Sequence, residues 1–153
     1  MTVTSRKLTA HEGEERKSPA APAIDAACRT SLTQAVQKYF DLMYDCDTSR
    51  LGEVFLSTAH LHGFRDGRMM SWSMAVYKDI LDKRQSPKSL GAPRADEIVQ
   101  MDFASVDMAF VKARVRIAAM DFVDYLTWHR IDNKWLITSK GFYLQPGGEG
   151  GKL

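Results

Sequence analysis

A small set of side chains in this sequence is equipped for chemistry. His129 lies in a run of β-type residues, and an imidazole is a side chain that could take and return a proton. Tyr39 and Tyr125 could join it in proton transfer, and Arg114, Arg116 and Lys140 could hold an anion or, for Arg114 and Lys140, stabilise an oxyanion. Each has a plainer explanation. Tyr39 on an apolar helix face is often a core tyrosine with a satisfied hydroxyl, His129 a hydrogen-bonded strand residue, and the cations a solvated strand surface.

Other groups carry less. His60 and His62 alternate like a ligand pair, but zinc takes three or four protein ligands and no third stands nearby, so no metal is expected. Gly147-Gly148-Glu149-Gly150-Gly151 is followed by no helix and makes no phosphate loop, and no cofactor is expected. Cys28 and Cys46 fit neither a disulfide framework nor a CxxC motif and read as free thiols. With 21 basic against 19 acidic side chains, mixed along the chain, there is no footprint for nucleic acid or a membrane surface. No apolar run approaches the roughly 18 residues of a membrane span, and no apolar stretch backs the basic N-terminal residues. A cytoplasmic location is expected.

The elements that must position these residues follow from periodicity. Residues 1–26 and 145–153 read as flexible tails around one domain, 27–144, of ordinary size. Thr30 or Ser31 can cap a first helix whose Leu32, Ala35, Val36, Tyr39, Phe40 and Met43 share a face. Leu51, Val54 and Phe55 suggest a short second helix. A hairpin turning at Asp66-Gly67 follows, then a third helix capped by Ser73 with Met74, Tyr77, Ile80 and Leu81 inward. Four strands complete an α+β domain: Ile98–Phe103, Ala109–Ala118, Phe122–Ile131 and Trp135–Tyr143.

A two-residue turn at Asp132-Asn133 places Arg130 opposite Trp135 and Trp128 opposite Ile137, and a turn near Ala119-Met120 places Ile117 opposite Phe122. Strict alternation then gives one greasy face, with Val111, Val115, Leu126, Trp128, Trp135 and Ile137, and Asp124 as its acidic exception. The other face mixes Phe110, Lys112, Arg114, Arg116, Tyr125, Thr127, His129, Lys140 and Phe142. Each large apolar side chain left in water would forfeit roughly 1.5–3 kcal/mol, so the greasy face must be covered. Either the helices of the same chain or a second copy can do so.

The segments Ala35-Val36-Gln37-Lys38-Tyr39-Phe40, His62-Gly63-Phe64, Trp72-Ser73, Phe122-Val123-Asp124-Tyr125-Leu126 and Asn133-Lys134-Trp135-Leu136-Ile137 resemble, in order, the nuclear transport factor 2-like (NTF2-like) superfamily. Within it the chain is most similar to the family called "putative lumazine-binding", close to the SnoaL-like proteins. The resemblance implies a cone-shaped α+β barrel, NTF2-like and cystatin-like, with three N-terminal helices on a curved, mostly antiparallel sheet. It also implies a homodimer through the outer sheet face, using Val115, Leu126, Trp128, Trp135 and Ile137. The pocket would then take the mixed face, with Tyr39, Met43, Phe55, Arg114, Arg116, Thr127, His129, Lys140 and Phe142 meeting a ligand. Ketosteroid isomerases of the superfamily pair a base carboxylate with a tyrosine and a protonated aspartic acid. The tyrosine matches Tyr39, but the two acid positions match Gly63 and Thr127, so that mechanism is not expected. The first reading is a homodimeric binder of a small ring-shaped metabolite, whether neutral or anionic. The others are an isomerase, cyclase or dehydratase acting on a carbonyl compound through His129, Tyr39 or Tyr125, and a non-catalytic dimerisation module.

Overall fold

Asp25 opens the first helix, α1 (Ala26–Asp45), its carboxylate accepting the Cys28 N–H at 2.8 Å. Thr30 and Ser31, the expected caps, lie within the helix, and the Ser31 hydroxyl donates to the Cys28 carbonyl instead. Cys46 ends α1 in a left-handed conformation, its N–H returning to the Leu42 carbonyl. A 3₁₀ turn at Thr48–Arg50 leads into the single turn of α2 (Leu51–Val54). Phe55, expected on that helix, starts β1 (Phe55–Arg65), where it pairs with Ile137. The Asp66-Gly67 turn has both residues at positive φ and returns the chain as β2 (Arg68–Ser73). The Ser73 hydroxyl caps α3 (Met74–Lys83), accepting the Val76 N–H at 3.4 Å. The computed structural model describes residues 23–147, so the tails expected at either end lie mostly outside the described residues.

Four antiparallel-linked strands follow: β3 (Asp96–Ser105), β4 (Met108–Ile117), β5 (Met120–Ile131) and β6 (Lys134–Leu144). The sheet runs β2-β1-β6-β5-β4-β3, antiparallel except where β1 lies parallel to β6. Asp132 and Asn133 both take positive φ, and Arg130 faces Trp135 as expected. The β4–β5 turn is Ala118-Ala119, which pairs Ile117 with Met120 and Val115 with Phe122; the expected Ile117–Phe122 pairing is therefore two positions out, a slip that leaves every side chain on its face.

One irregularity matters more. Trp128 pairs with Ile137 but Thr127 pairs with Ser139, leaving Thr138 as an extra residue in β6. Strict alternation would place Lys140 and Phe142 opposite in sense to Ile137. The bulge reverses their sense, so Ile137, Lys140 and Phe142 all point to the side of the sheet that faces the helices.

That side is the greasy one. Val115, Leu126, Trp128, Trp135 and Ile137 are buried inside the single chain, in one cluster with Leu32, Val36 and Tyr39 of α1. The Trp135 indole N–H donates to Ser31 on α1 at 3.0 Å. The five residues expected at an outer dimer interface are therefore core residues. Helix α1 presents a full apolar stripe, and covering the tryptophans within the chain requires no second copy.

Trp128→Ala should lower stability by about 3–5 kcal/mol in urea denaturation, by the same amount at every protein concentration. A loss confined to concentrations at which a dimer dissociates would return Trp128 to a subunit interface.

Candidate functional site

Four elements converge at one point under the sheet. Asp124, from the middle of β5, is 1% exposed, and Lys140, across the ladder on β6, is 5% exposed. Tyr39 of α1 donates its hydroxyl to Asp124 Oδ2. Lys140 Nζ lies 3.6 Å from the same oxygen and 3.4 Å from Tyr77 Oη on α3. The ammonium also sits 5.2 and 5.3 Å from the centres of the Tyr39 and Tyr77 rings, an arrangement that favours a buried cation. The Tyr77 hydroxyl donates to Met43 Sδ at 3.3 Å.

Two polar atoms here are left over. Asp124 Oδ1 is shielded from solvent and accepts no hydrogen bond, and Arg84 Nη1, from the end of α3, donates none. A buried polar atom without a partner costs about 1–3 kcal/mol, more when it is charged, so a native core rarely keeps one without a use. Both residues line a cavity of about 20 Å³, together with Leu61, Arg65, Trp72, Tyr77, Ile117, Phe122, Lys140 and Phe142. The space holds about one water. Trp72 closes it, its ring stacked on Phe142 at 5.2 Å and on Tyr77 at 6.4 Å. A Cβ at Gly63 would fall 2.6 Å from the Phe142 ring, so the glycine makes room for Phe142 to lie against β1.

Electrostatics set the protonation of the tyrosine. Burial, and then the neighbouring Asp124 carboxylate, push the Tyr39 hydroxyl well above its ordinary value of 10.0, which keeps it a neutral donor.

The expected site residues divide between the two faces. Tyr39, Met43, Phe55, Lys140 and Phe142 are buried on the helix side. His129, Tyr125, Thr127, Arg114 and Arg116 lie on the outer side, away from Tyr39 and from the cavity. There His129 Nδ1 shares a hydrogen bond with Thr138 at 2.6 Å, while Arg114 meets Glu97 and Arg116 meets Asp121. Tyr125 is 46% exposed beneath Phe110 and Lys112. Their expected pocket placement followed from giving the greasy face to a dimer; with that face under α1, regular pleating turns all five outward. Asp124, the acid on the greasy face, is the residue that sequence reasoning assigned to the wrong surroundings. Its signal was a lone carboxylate among inward apolar positions. Arg65, Trp72 and Arg84 gave no comparable signal. His60 and His62 stack at 6.3 Å on exposed positions of β1, and no group of three potential metal ligands occurs among the described residues. No helix among them is long and apolar enough to cross a membrane.

Comparison with known proteins places this geometry. The model of the family described as "Putative lumazine-binding" matches residues 27–143. Aldolase FrzH of Cladobotryum sp. is 29% identical over 110 residues, covering 71% of this chain and 84% of that protein. Among solved structures, an NTF2-like protein of unknown function from Shewanella baltica OS155 superposes with a TM-score of 0.72 at 18% identity, covering 82% of this chain and all of that one. An NTF2-like protein of unknown function from Silicibacter pomeroyi DSS-3 gives 0.67 at 21% identity, covering 78% and 98%. A cystatin-like fold protein from Burkholderia xenovorans LB400 gives 0.58 at 14% identity, covering 79% and 95%. At these identities the structures share the fold.

Tyr39→Phe removes one donor from a buried carboxylate and should cost about 1–3 kcal/mol near neutral pH. Because the folded-state value of Tyr39 is raised, its contribution is fully present below pH 10.0 and is lost as the pH climbs beyond it. Chemical denaturation as a function of pH should therefore show a shallower alkaline decline in the variant than in the wild type. Parallel declines would mean that Tyr39 ionises as readily in the folded protein as in the unfolded chain.

Proposed function

The chain belongs to the "Putative lumazine-binding" family of the NTF2-like superfamily, and from the site it carries we propose that it binds a small carbonyl compound and moves a proton beside the carbonyl. The observation that carries this reading is the buried Asp124 carboxylate, with one oxygen held and the other free. Oδ2 is occupied by Tyr39 and Lys140, so Oδ1 is the atom that can accept a proton from a bound molecule. As that proton leaves carbon, negative charge gathers on the carbonyl oxygen. The Lys140 ammonium, whose polar neighbours stand at 3.4 Å or beyond, is the donor suited to receive it, with the Tyr77 hydroxyl beside it. Tyr39 is a positioning residue that orients the base. An enolate formed in this way can be reprotonated elsewhere, as in an isomerisation, or can attack a second carbonyl. The name of the Cladobotryum relative, an aldolase, supports chemistry of the second kind.

The cavity as it stands takes about one water, so a ring-shaped ligand must displace the Trp72 ring. Trp72 lies on β2, an edge strand of the sheet, so the movement must break its stacking on Phe142 and Tyr77 but disturbs a strand paired on one side alone. An unpaired carboxylate oxygen and an unpaired guanidinium nitrogen in the same cavity support this reading over a purely structural module.

A homodimer through the outer sheet face belongs to the same reading, on different residues from those first expected. Phe64, Tyr125 and Tyr143 are 64%, 46% and 53% exposed there, beside Phe110 and Val123. Tyr125→Glu should then convert a dimer to a monomer in light scattering without changing the unfolding midpoint of the isolated chain. A monomeric wild type would remove the dimer and leave the interior site as described.

Proton transfer is tested by NMR, following deuterium uptake at the carbon beside the carbonyl in a panel of cyclic and aryl ketones and oxo acids. Wild type should accelerate uptake for at least one of them, and Asp124→Asn, which keeps the shape of the base, should slow it by about 10²–10⁴-fold. No acceleration by the wild type, or equal rates in a folded Asp124→Asn variant, would overturn the acid–base reading.

A further inference from the structure

Charge in the cavity is out of balance. Arg65, Arg84 and Lys140 line it, against the single carboxylate of Asp124. Lys140 is paired with that carboxylate, whereas neither Arg65 nor Arg84 meets a carboxylate among the described residues. Arg84 is also fixed at its root. Its backbone N–H bonds to the Ile80 and Leu81 carbonyls at the end of α3, and its Nη1 is shielded from water with no acceptor. The Arg84 side chain also hydrogen-bonds the Cys46 thiol, but burial pushes that thiol up, so it remains neutral and does not balance the guanidinium's charge. A guanidinium keeps its charge at all ordinary pH values and cannot escape burial by losing a proton.

Apart from the Tyr77 hydroxyl, which is turned to Met43, the rest of the lining is largely apolar: Leu61, Trp72, Ile117, Phe122 and Phe142. A ligand that satisfies the whole cavity therefore has an aromatic or aliphatic body and one anionic group. We propose that the ligand is an apolar carboxylic acid whose carboxylate is held by Arg84, with Arg65 beside it, while its carbonyl meets Asp124 and Lys140. In the terms of the proposed reaction, on which this rests, the substrate is an oxo acid. The carboxylate does no chemistry; the guanidinium fork grips it at two points and sets which carbon faces the base.

Binding, measured apart from turnover, tests this. Phenylpyruvate and 3-benzoylpropionate, each with its methyl ester, serve as probes in titration calorimetry and in NMR shift mapping. Wild type should bind at least one acid about tenfold or more tighter than its ester, a difference of roughly 1.4 kcal/mol. Arg84→Gln should abolish that preference, Arg84→Lys should keep part of it, and Asp124→Asn should retain it. Esters bound as well as acids, or no acid bound at roughly millimolar concentration, would overturn the proposal. So would a full preference for acids in a folded Arg84→Gln variant. The two readings fail separately. Neutral ketones exchanged as fast as acids would sink the carboxylate subsite alone. Acids held through Arg84 without Asp124-dependent exchange would sink the acid–base reaction alone.

Discussion

A carboxylate buried in the middle of a sheet must be held by charge-assisted partners or be protonated, because the interior offers it no water. Asp124 is held by two partners from distant parts of the chain: a phenol on the first helix and an ammonium on the last strand. Taking both charges out of water costs several kcal/mol per ion, and mutual attraction restores only part of it. The aromatic rings of Tyr39 and Tyr77 around the ammonium lower that cost. The arrangement requires α1 to lie across the strands in one register, since a one-turn slide would withdraw Tyr39 from the carboxylate. The packing of helix on sheet and the construction of the site are thus one constraint seen twice.

The extra residue at Thr138 meets that constraint from the sheet side. Without it, Lys140 would point outward and Asp124 would lose its counter-charge. The bulge also delivers Phe142 against Gly63, which closes the wall between β1 and β6. Bulges re-aim side chains next to binding sites in many sheets, and here a single inserted residue moves a cation from the surface to the core. Thr138 itself follows Ile137 onto the outer face by ordinary alternation, and there it engages His129.

The polar groups differ in what holds them. Asp124, Lys140 and Tyr39 form a buried floor to the site, packed by Phe55 and Met43. Arg65, Trp72 and Arg84 ring the cavity nearer the edge strand. Floor groups can be held rigidly because the helices and central strands fix them. The groups around Trp72 rest on an edge strand and a helix end, elements that open at lower cost. The carboxylate thus sits among the firmly held elements, and Trp72 among those that open more readily.

Local pattern in the sequence was enough to determine most of the elements. The apolar stripe of α1, the Ser73 cap, the turns at Asp66-Gly67 and Asp132-Asn133 and the alternation along β4 and β5 all depend on neighbours a few residues away. It also marked Tyr39 and Lys140 as residues to watch, with Met43 and Phe142 added by the family resemblance, and it set Asp124 apart as an acid in greasy company. What periodicity could not decide was which side of the sheet the helices would cover, because both faces carry apolar groups and either choice buries some of them. Nor could it locate the bulge, since an extra residue in a strand leaves no mark until the partner strand is present. Those two choices rest on contacts between residues up to about a hundred positions apart, such as Trp135 with Ser31 and Asp124 with Tyr39. The tertiary structure made them, and with them it put Asp124 beside Tyr39 in the interior and His129 on the outer face.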